Sequence, residues 1–165
     1  MDLERTIQDL APRLLRYCLG RTGDRDLAEE VAQETLAALA RRWRRYGPPE
    51  SPEGFAFTVA RRRAFRANAR RRLFEPLHLM APGFFHPGPD PEQQALQRSD
   101  LDHTLAAIRR LPSRDREALL LVVAGGVGTA EGARLLGISV SALKMRVSRA
   151  RQRLLALLEN GHAAP

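Results

Sequence analysis

Apolar residues recur along this chain at spacings of three and four, and the two-residue alternation of strands is absent. The clearest stretch is residues 24–39, DRDLAEEVAQETLAAL. Leu27, Val31, Leu36 and Leu39 form one stripe there, which predicts an amphipathic helix buried along that side. Asp24 or Asp26 suits its N-cap, and Glu29 and Glu30 lie near the positive end of its dipole. Glu30, Gln33 and Glu34 fall outside the stripe. A second signal lies at 129–158. Gly137, in Leu136-Gly137-Ile138-Ser139, suits a left-handed position just past a short helix over 129–136, which Thr129 can cap. Ser139 or Ser141 can cap the next helix. In that helix Leu143, Val147, Ala150 and Leu154 share a face that Leu157 or Leu158 continues, and Lys144, Met145, Ser148, Arg149 and Gln152 lie opposite.

Proline divides the pattern. Residues 73–98 hold Pro76, Pro82, Pro87, Pro89 and Pro91. Each removes an amide donor and biases its predecessor away from the helical region, so the stretch reads as a linker. The expected fold is all-α: two small helical domains, residues 1–72 and 99–160, joined by a Pro-rich linker over 73–98. The chain, at 165 residues, is long enough for this. Each unit is nevertheless near the lower limit for a self-sufficient core.

Charge sharpens the picture. The net charge is +8, and Lys144 is the one lysine among 27 Lys and Arg. Arginine forks onto phosphate and stacks on rings better than lysine, which points to a polyanionic partner. The charge is also segregated. Residues 1–40 carry eight acids and five arginines, whereas 41–72 carry eleven arginines against Glu50 and Glu53. Residues 139–154 carry Lys144 and four arginines with no acid. Arginines crowded as they are over 41–72 repel one another unless an anion relieves them, which favours nucleic acid over a merely solvated face. The single cysteine, Cys18, excludes an internal disulfide framework and reads as a small buried helix residue. The acid-bearing start MDLERTIQDLAP lacks the apolar core of a secretion signal. No apolar run approaches the length that spans a bilayer. A cytoplasmic protein is expected.

The short helix, glycine turn and second helix have the form of a helix-turn-helix. The second helix has an apolar back and a Lys/Met/Ser/Arg/Gln front suited to a major groove. An ordinary helical hairpin with a basic face would show the same spacing. In the N-terminal block, Trp43, Tyr46, Phe55 and Phe57 interleave with Arg41, Arg42, Arg44, Arg45, Arg61, Arg62, Arg63 and Arg66. Rings among arginines suit unstacked bases. Phe55 and Phe57 fit a small core better, and Tyr46 beside the Gly47-Pro48-Pro49 break fits either role. Enzymatic chemistry finds no footing. Histidines 78, 86, 103 and 162 are scattered, and there is no HExxH, P-loop, carboxylate pair or nucleophile elbow. No catalytic residue, metal site or cofactor is expected.

With these motifs in place, nearly the whole chain resembles the extracytoplasmic-function (ECF) group of sigma-70-family RNA polymerase sigma factors. Asp26-Leu27-Ala28-Glu29-Glu30-Val31-Ala32-Gln33-Glu34-Thr35 is similar to the core of the family's region two. Leu111-Pro112, Arg116-Glu117, Leu136 to Ser139 and Lys144 to Arg151 are similar to the elements of region four. A Pro-Asp-Pro-Glu segment at 89–92 lies between them. The resemblance implies that Asp26, Glu29, Glu30, Gln33 and Glu34 dock on core RNA polymerase, at its β′ clamp, with the β flap as a further contact. It implies that Tyr46, Phe55, Arg61, Arg62 and Arg66 bind the −10 element and help hold its opened strand. Ser141, Lys144, Met145, Ser148 and Arg149 would bind the −35 element. Such proteins are monomeric when free or pair one-to-one with an anti-sigma partner. Three departures stand out, one being that Met145 and Ser148 replace commoner choices. Phe55 replaces a customary tryptophan, and Gly132, after the glycine-rich 124–128, replaces a bulky aliphatic and predicts a loosely packed reader. The alternative is a helix-turn-helix regulator that never engages polymerase; it would have no use for the acidic 26–35 helix.

Overall fold

The computed structural model describes the backbone of residues 2–78 and 91–162, and the side chains of 2–73 and 98–160. Among these residues there are seven α-helices and no strand. They are α1 (Leu3–Thr22), α2 (Arg25–Tyr46), α3 (Pro52–His78), α4 (Pro91–Arg109), α5 (Ser113–Leu119), α6 (Thr129–Leu136) and α7 (Val140–His162). A π-helical turn, Leu120–Ala124, continues α5.

Helices α1–α3 form the N-terminal unit. Asp2 caps α1 by accepting from the Glu4 and Arg5 amides. Gly23 closes α1 at φ 65°, giving its N–H to the Leu19 carbonyl. Asp24 caps α2, accepting from the Leu27 amide at 2.9 Å. The buried stripe of α2 is Ala28, Val31, Ala32, Thr35 and Leu39, while Leu27 and Leu36 are only half-buried. The stripe is thus rotated from the expected one. Because α2 packs on both α1 and α3, its innermost positions are small ones that let backbones approach. Thr35 is admitted there because its hydroxyl donates to the Val31 carbonyl at 2.7 Å. Leu10, Leu14, Tyr17 and Cys18 of α1 and Ala56, Phe57, Ala60 and Ala64 of α3 complete this interior. Tyr17 and Phe57 meet edge-to-face at 5.4 Å.

The stretch expected as linker is helical at both ends: α3 runs to His78 and α4 starts at Pro91. A proline in the first helical position loses no hydrogen bond, so Pro91 begins a helix instead of preventing one. Residues 79–90, with Pro82, Pro87, Pro89 and His86, lie outside the described residues.

Helices α4–α7 form the C-terminal unit, with Leu111, Ala118, Leu119, Ala133, Leu143, Val147 and Ala150 as its interior. Gly137 stands at φ 63° after α6, as its place in the turn requires. The N-cap of α6 is Gly128; Thr129 is already helical and makes no cap bond, contrary to expectation. Ser139 precedes α7, its Oγ accepting from the Ala142 amide at 3.1 Å, while Ser141 lies within the helix. The loose packing expected at Gly132 is not found. A Cβ there would stand 3.1 Å from Leu143 Cδ2, so glycine permits a close crossing of α6 and α7.

The two units are packed together. Leu120, Leu121 and Val127 of the C-terminal unit belong to the same buried cluster as Leu14, Tyr17 and Phe57.

Candidate nucleic-acid interface

The acidic face of α2 is built as its spacing implies. Asp26, Glu29, Glu30, Gln33 and Glu34 recur at three- and four-residue steps opposite the buried stripe. Asp26, Glu30, Gln33 and Glu34 are exposed and Glu29 is half-buried. Two members have arginine partners: Glu29 pairs with Arg25 at 3.0 Å, and Glu34 with Arg63 of α3.

The residues expected at the −10 element divide. Tyr46 is 65% exposed at the end of α2, with the guanidinium groups of Arg42 and Arg45 each 5.1 Å from its ring centroid. Arg62 and Arg66 are exposed on α3. Phe57 is fully buried, as the core reading holds, and Phe55 is half-buried. Arg61 is occupied. Its Nε donates to Glu117 at 3.1 Å and its Nη1 to the Leu135 carbonyl at 2.8 Å, both in the C-terminal unit. Phe65, which the sequence reading passed over, is 68% exposed one turn beyond Arg61 and Arg62. With Phe55, Thr58 and Arg62 it lines a groove of about 950 Å³ closed on the far side by Glu131 and Arg134.

The reader face of α7 is open. Ser141, Lys144, Met145, Ser148, Arg149 and Gln152 are all exposed, backed by Leu143, Val147 and Ala150. Arg149 is not a free fork. Asp115 of α5, 5% exposed, takes its Nη2 at 3.0 Å and Nε at 3.4 Å, and also pairs with Arg153 at 3.3 Å. That bond to Asp115 raises the guanidinium's affinity for its proton and fixes its plane, leaving the Nη1 edge to donate outward.

At the seam, Glu117 receives Tyr17, Arg21 and Arg61. Tyr17 and Glu117 were not legible as partners, being 100 residues apart. Burial first, then the nearby Glu117 charge, pushes the Tyr17 hydroxyl well up, so it stays protonated and donates. Arg13 and Arg16 of α1 reach the carbonyls of Ala124, Gly125 and Gly126. The one available signal was the glycine run at 125–128: a Cβ on Gly125 would stand 2.7 Å from the Phe57 ring. Cys18 is buried and unpaired, its thiol pushed up to about 12 by desolvation. No cluster of metal-ligating side chains exists among the described residues.

Residues 6–73 match the family described as Sigma-70 region 2, and residues 101–154 match Sigma-70, region 4. The chain is 31% identical over 147 residues to the ECF RNA polymerase sigma factor EcfG of Rhodopseudomonas palustris, covering 89% of this chain and 80% of that protein. It is 34% identical over 159 residues to the ECF RNA polymerase sigma factor ShbA of Streptomyces griseus, covering 90% and 83%. The chain belongs to the ECF RNA polymerase sigma factors. As a sigma factor it binds core RNA polymerase and directs promoter-specific initiation; sigma factors are regulatory subunits of that enzyme. A regulator indifferent to polymerase is not favoured.

Two solved sigma factors share the fold. The Bartonella quintana sigma factor RpoE, in complex with the anti-sigma factor NepR, superposes with a TM-score of 0.68 at 24% identity, covering 94% of this chain and 96% of that one. CnrH, in complex with the cytosolic domain of CnrY, superposes with a TM-score of 0.69 at 19% identity, covering 96% and 88%. No helix among the described residues is long and apolar enough to cross a membrane.

Proposed function

We propose a division of labour among three surfaces, two in the domain 1–72 and one in the domain 99–160, with 73–98 as the connection between them. The acidic face of α2, with Asp26, Glu29, Glu30, Gln33 and Glu34, docks on the β′ clamp of core polymerase, and the β flap provides a further contact. Tyr46, Phe55, Arg61, Arg62 and Arg66 take the −10 element, where rings meet unpaired bases and arginines meet phosphates. Ser141, Lys144, Met145, Ser148 and Arg149 enter the major groove at the −35 element. The observation that carries this reading is the opposition of charge on one helical unit. Exposed carboxylates line α2 and exposed arginines line the adjacent α3, so one unit has a face for a protein and a face for DNA. The chain positions and does not catalyse. It works in the cytoplasm, as a monomer when free or one-to-one with an anti-sigma partner; RpoE and CnrH, with the same fold, were solved in complex with the anti-sigma factor NepR and with the cytosolic domain of CnrY.

The test replaces two of the three exposed dock residues that have no arginine partner among the contacts described above. Glu30→Arg with Gln33→Ala is expected to abolish co-elution with core polymerase on gel filtration and to abolish run-off transcription, with the helical circular dichroism unchanged. Retained assembly would remove α2 as the dock.

A further inference from the structure

The C-terminal unit lays one carboxylate into a basic notch of the N-terminal unit. Glu117 is 8% exposed and both of its oxygens are claimed from across the seam. Tyr17 Oη donates to Oε1 at 2.6 Å, Arg61 Nε donates to the same oxygen at 3.1 Å, and Arg21 Nη1 pairs with Oε2 at 2.6 Å. Further contacts extend the seam. Arg61 Nη1 reaches the Leu135 carbonyl at 2.8 Å, and Ser51, at the start of α3, donates to Glu131 Oε1 at 3.0 Å. The fit is also steric: a Cβ on Gly20 would collide with Leu120 Cδ2. Two guanidinium groups and a phenolic hydroxyl converging on one point bind an oxyanion, and they suit a phosphate oxygen as well as a carboxylate.

We propose that Tyr17, Arg21 and Arg61 form an oxyanion-receiving notch that Glu117 fills in cis, latching the free chain closed and withholding Arg61 from DNA phosphate. The proposal rests on the reading of Arg61 as a −10 contact. Geometry supports the substitution of one anion for another. Arg61 has its Nε and Nη1 engaged by the C-terminal unit, so those donors meet a DNA backbone only after Glu117 and Leu135 withdraw. The neighbouring Arg62 and Arg66 are exposed and have no such role. The acidic face of α2 lies outside the seam, so closure does not cover the proposed polymerase dock.

The latch needs no second protein, and this can be measured on the full-length chain alone. Donor and acceptor dyes on Ala37→Cys in α2 and Ala156→Cys in α7, both exposed sites, report the distance between units by single-molecule energy transfer. Cys18, buried with its thiol protonated, stays unlabelled. The free chain is expected to give one narrow, compact population. Glu117→Gln removes the latch charge. Gly20→Met wedges the seam while replacing a helix-interior glycine with a better helix former. Each is expected to broaden and lengthen the distance with helical content retained. Each is also expected to raise affinity for a fluorescent single-stranded DNA roughly tenfold, in keeping with one charge-assisted contact.

A broad distribution in the unsubstituted chain would overturn the latch whatever the variants do. So would an unchanged distance in Gly20→Met with native helicity. Opening without a gain in DNA affinity would overturn the withholding of Arg61 and its −10 assignment. The polymerase dock is read separately by the gel-filtration assay above, so its failure is distinguishable from either.

Discussion

The N-terminal unit has a large interior that takes in residues of its neighbour, whereas the interior that the C-terminal unit builds from its own residues is small. In α1–α3 the buried set includes Tyr17, Phe57, Leu10, Leu14 and Leu39, supplied by all three helices. In α4–α7 three of the seven buried members are alanine and none is aromatic. The next residues along that chain segment, Leu120 and Leu121, are buried in the other unit's cluster. The exposed faces divide in the opposite sense. The arginine helix of the N-terminal unit is tied down at Arg61 and Arg63, while α7 presents its reader face to solvent. The lesson is that the unit with the smaller core shares apolar surface with its partner, and the shared seam uses Arg61, a cation proposed to meet the −10 element.

Breaking the seam is the strongest way to test that contrast. Leu121, fully buried, belongs by chain position to one unit and by packing to the other. Leu121→Ala is expected to cost about 2–5 kcal/mol. Hydrogen exchange should show lost protection in α1 and α3 as well as in α5–α7. Loss confined to α5–α7 would mean that the two interiors are independent. Leu143→Ala, within the second cluster, is the matched control and should spare α1–α3.

The reader face offers a finer test. Arg149→Ala is expected to weaken promoter affinity by about 1–3 kcal/mol. It also leaves the buried Asp115 with Arg153 alone, so a modest loss of stability should accompany it. Asp115→Ala removes no DNA-facing group, yet it should lower promoter affinity through the loss of Arg149 orientation, by less than Arg149→Ala itself. Equal affinity for Asp115→Ala and the parent chain, measured by fluorescence anisotropy on a −35 duplex, would show that Arg149 needs no such support.

The smallest effect concerns Cys18. Its thiol is pushed up to about 12 in the folded chain, from 9.0 when unperturbed. At moderately alkaline pH, still below 9.0, it should react with a disulfide reagent only through unfolding, at a rate that follows the opening of the N-terminal unit. The raised value also sets a sign. The contribution to stability is full below pH 9.0, where both states hold the proton, and falls as pH rises toward 12 because only the unfolded thiol ionises. Rapid labelling of native protein would place Cys18 outside the interior.

Much of this was readable from local pattern. The α2 helix with its Asp24 cap, the Gly137 turn, the Ser139 cap and the division of α7 into an apolar back and a polar front all depend on residues within a few positions of one another. The misreadings share a different cause. Leu27 and Leu36 looked like the buried stripe because a helix in isolation gives leucine priority over alanine. With α1 and α3 both pressing on α2, close approach favours Ala28, Ala32 and Thr35. Gly132 looked like a defect because the residue that fills its space, Leu143, lies on another helix.

The candidate site divides along the same line. The acidic and basic stripes are one-dimensional facts, since helical periodicity alone places Glu30 beside Gln33 and Glu34, and Lys144 beside Ser148. The partners of Glu117, Asp115 and Arg61 are not, because a polar contact between distant side chains carries no periodicity and its members here stand 34 to 100 residues apart. Sequence by itself determined that α2, α6 and α7 form, where each begins, and which of their sides carry charge, because those follow from contacts between neighbours in the chain. Only the tertiary structure decided that the two units share a seam and that an arginine suited to phosphate is held by a carboxylate. Burial and electrostatic partnership are set by whatever the fold brings within a few ångströms.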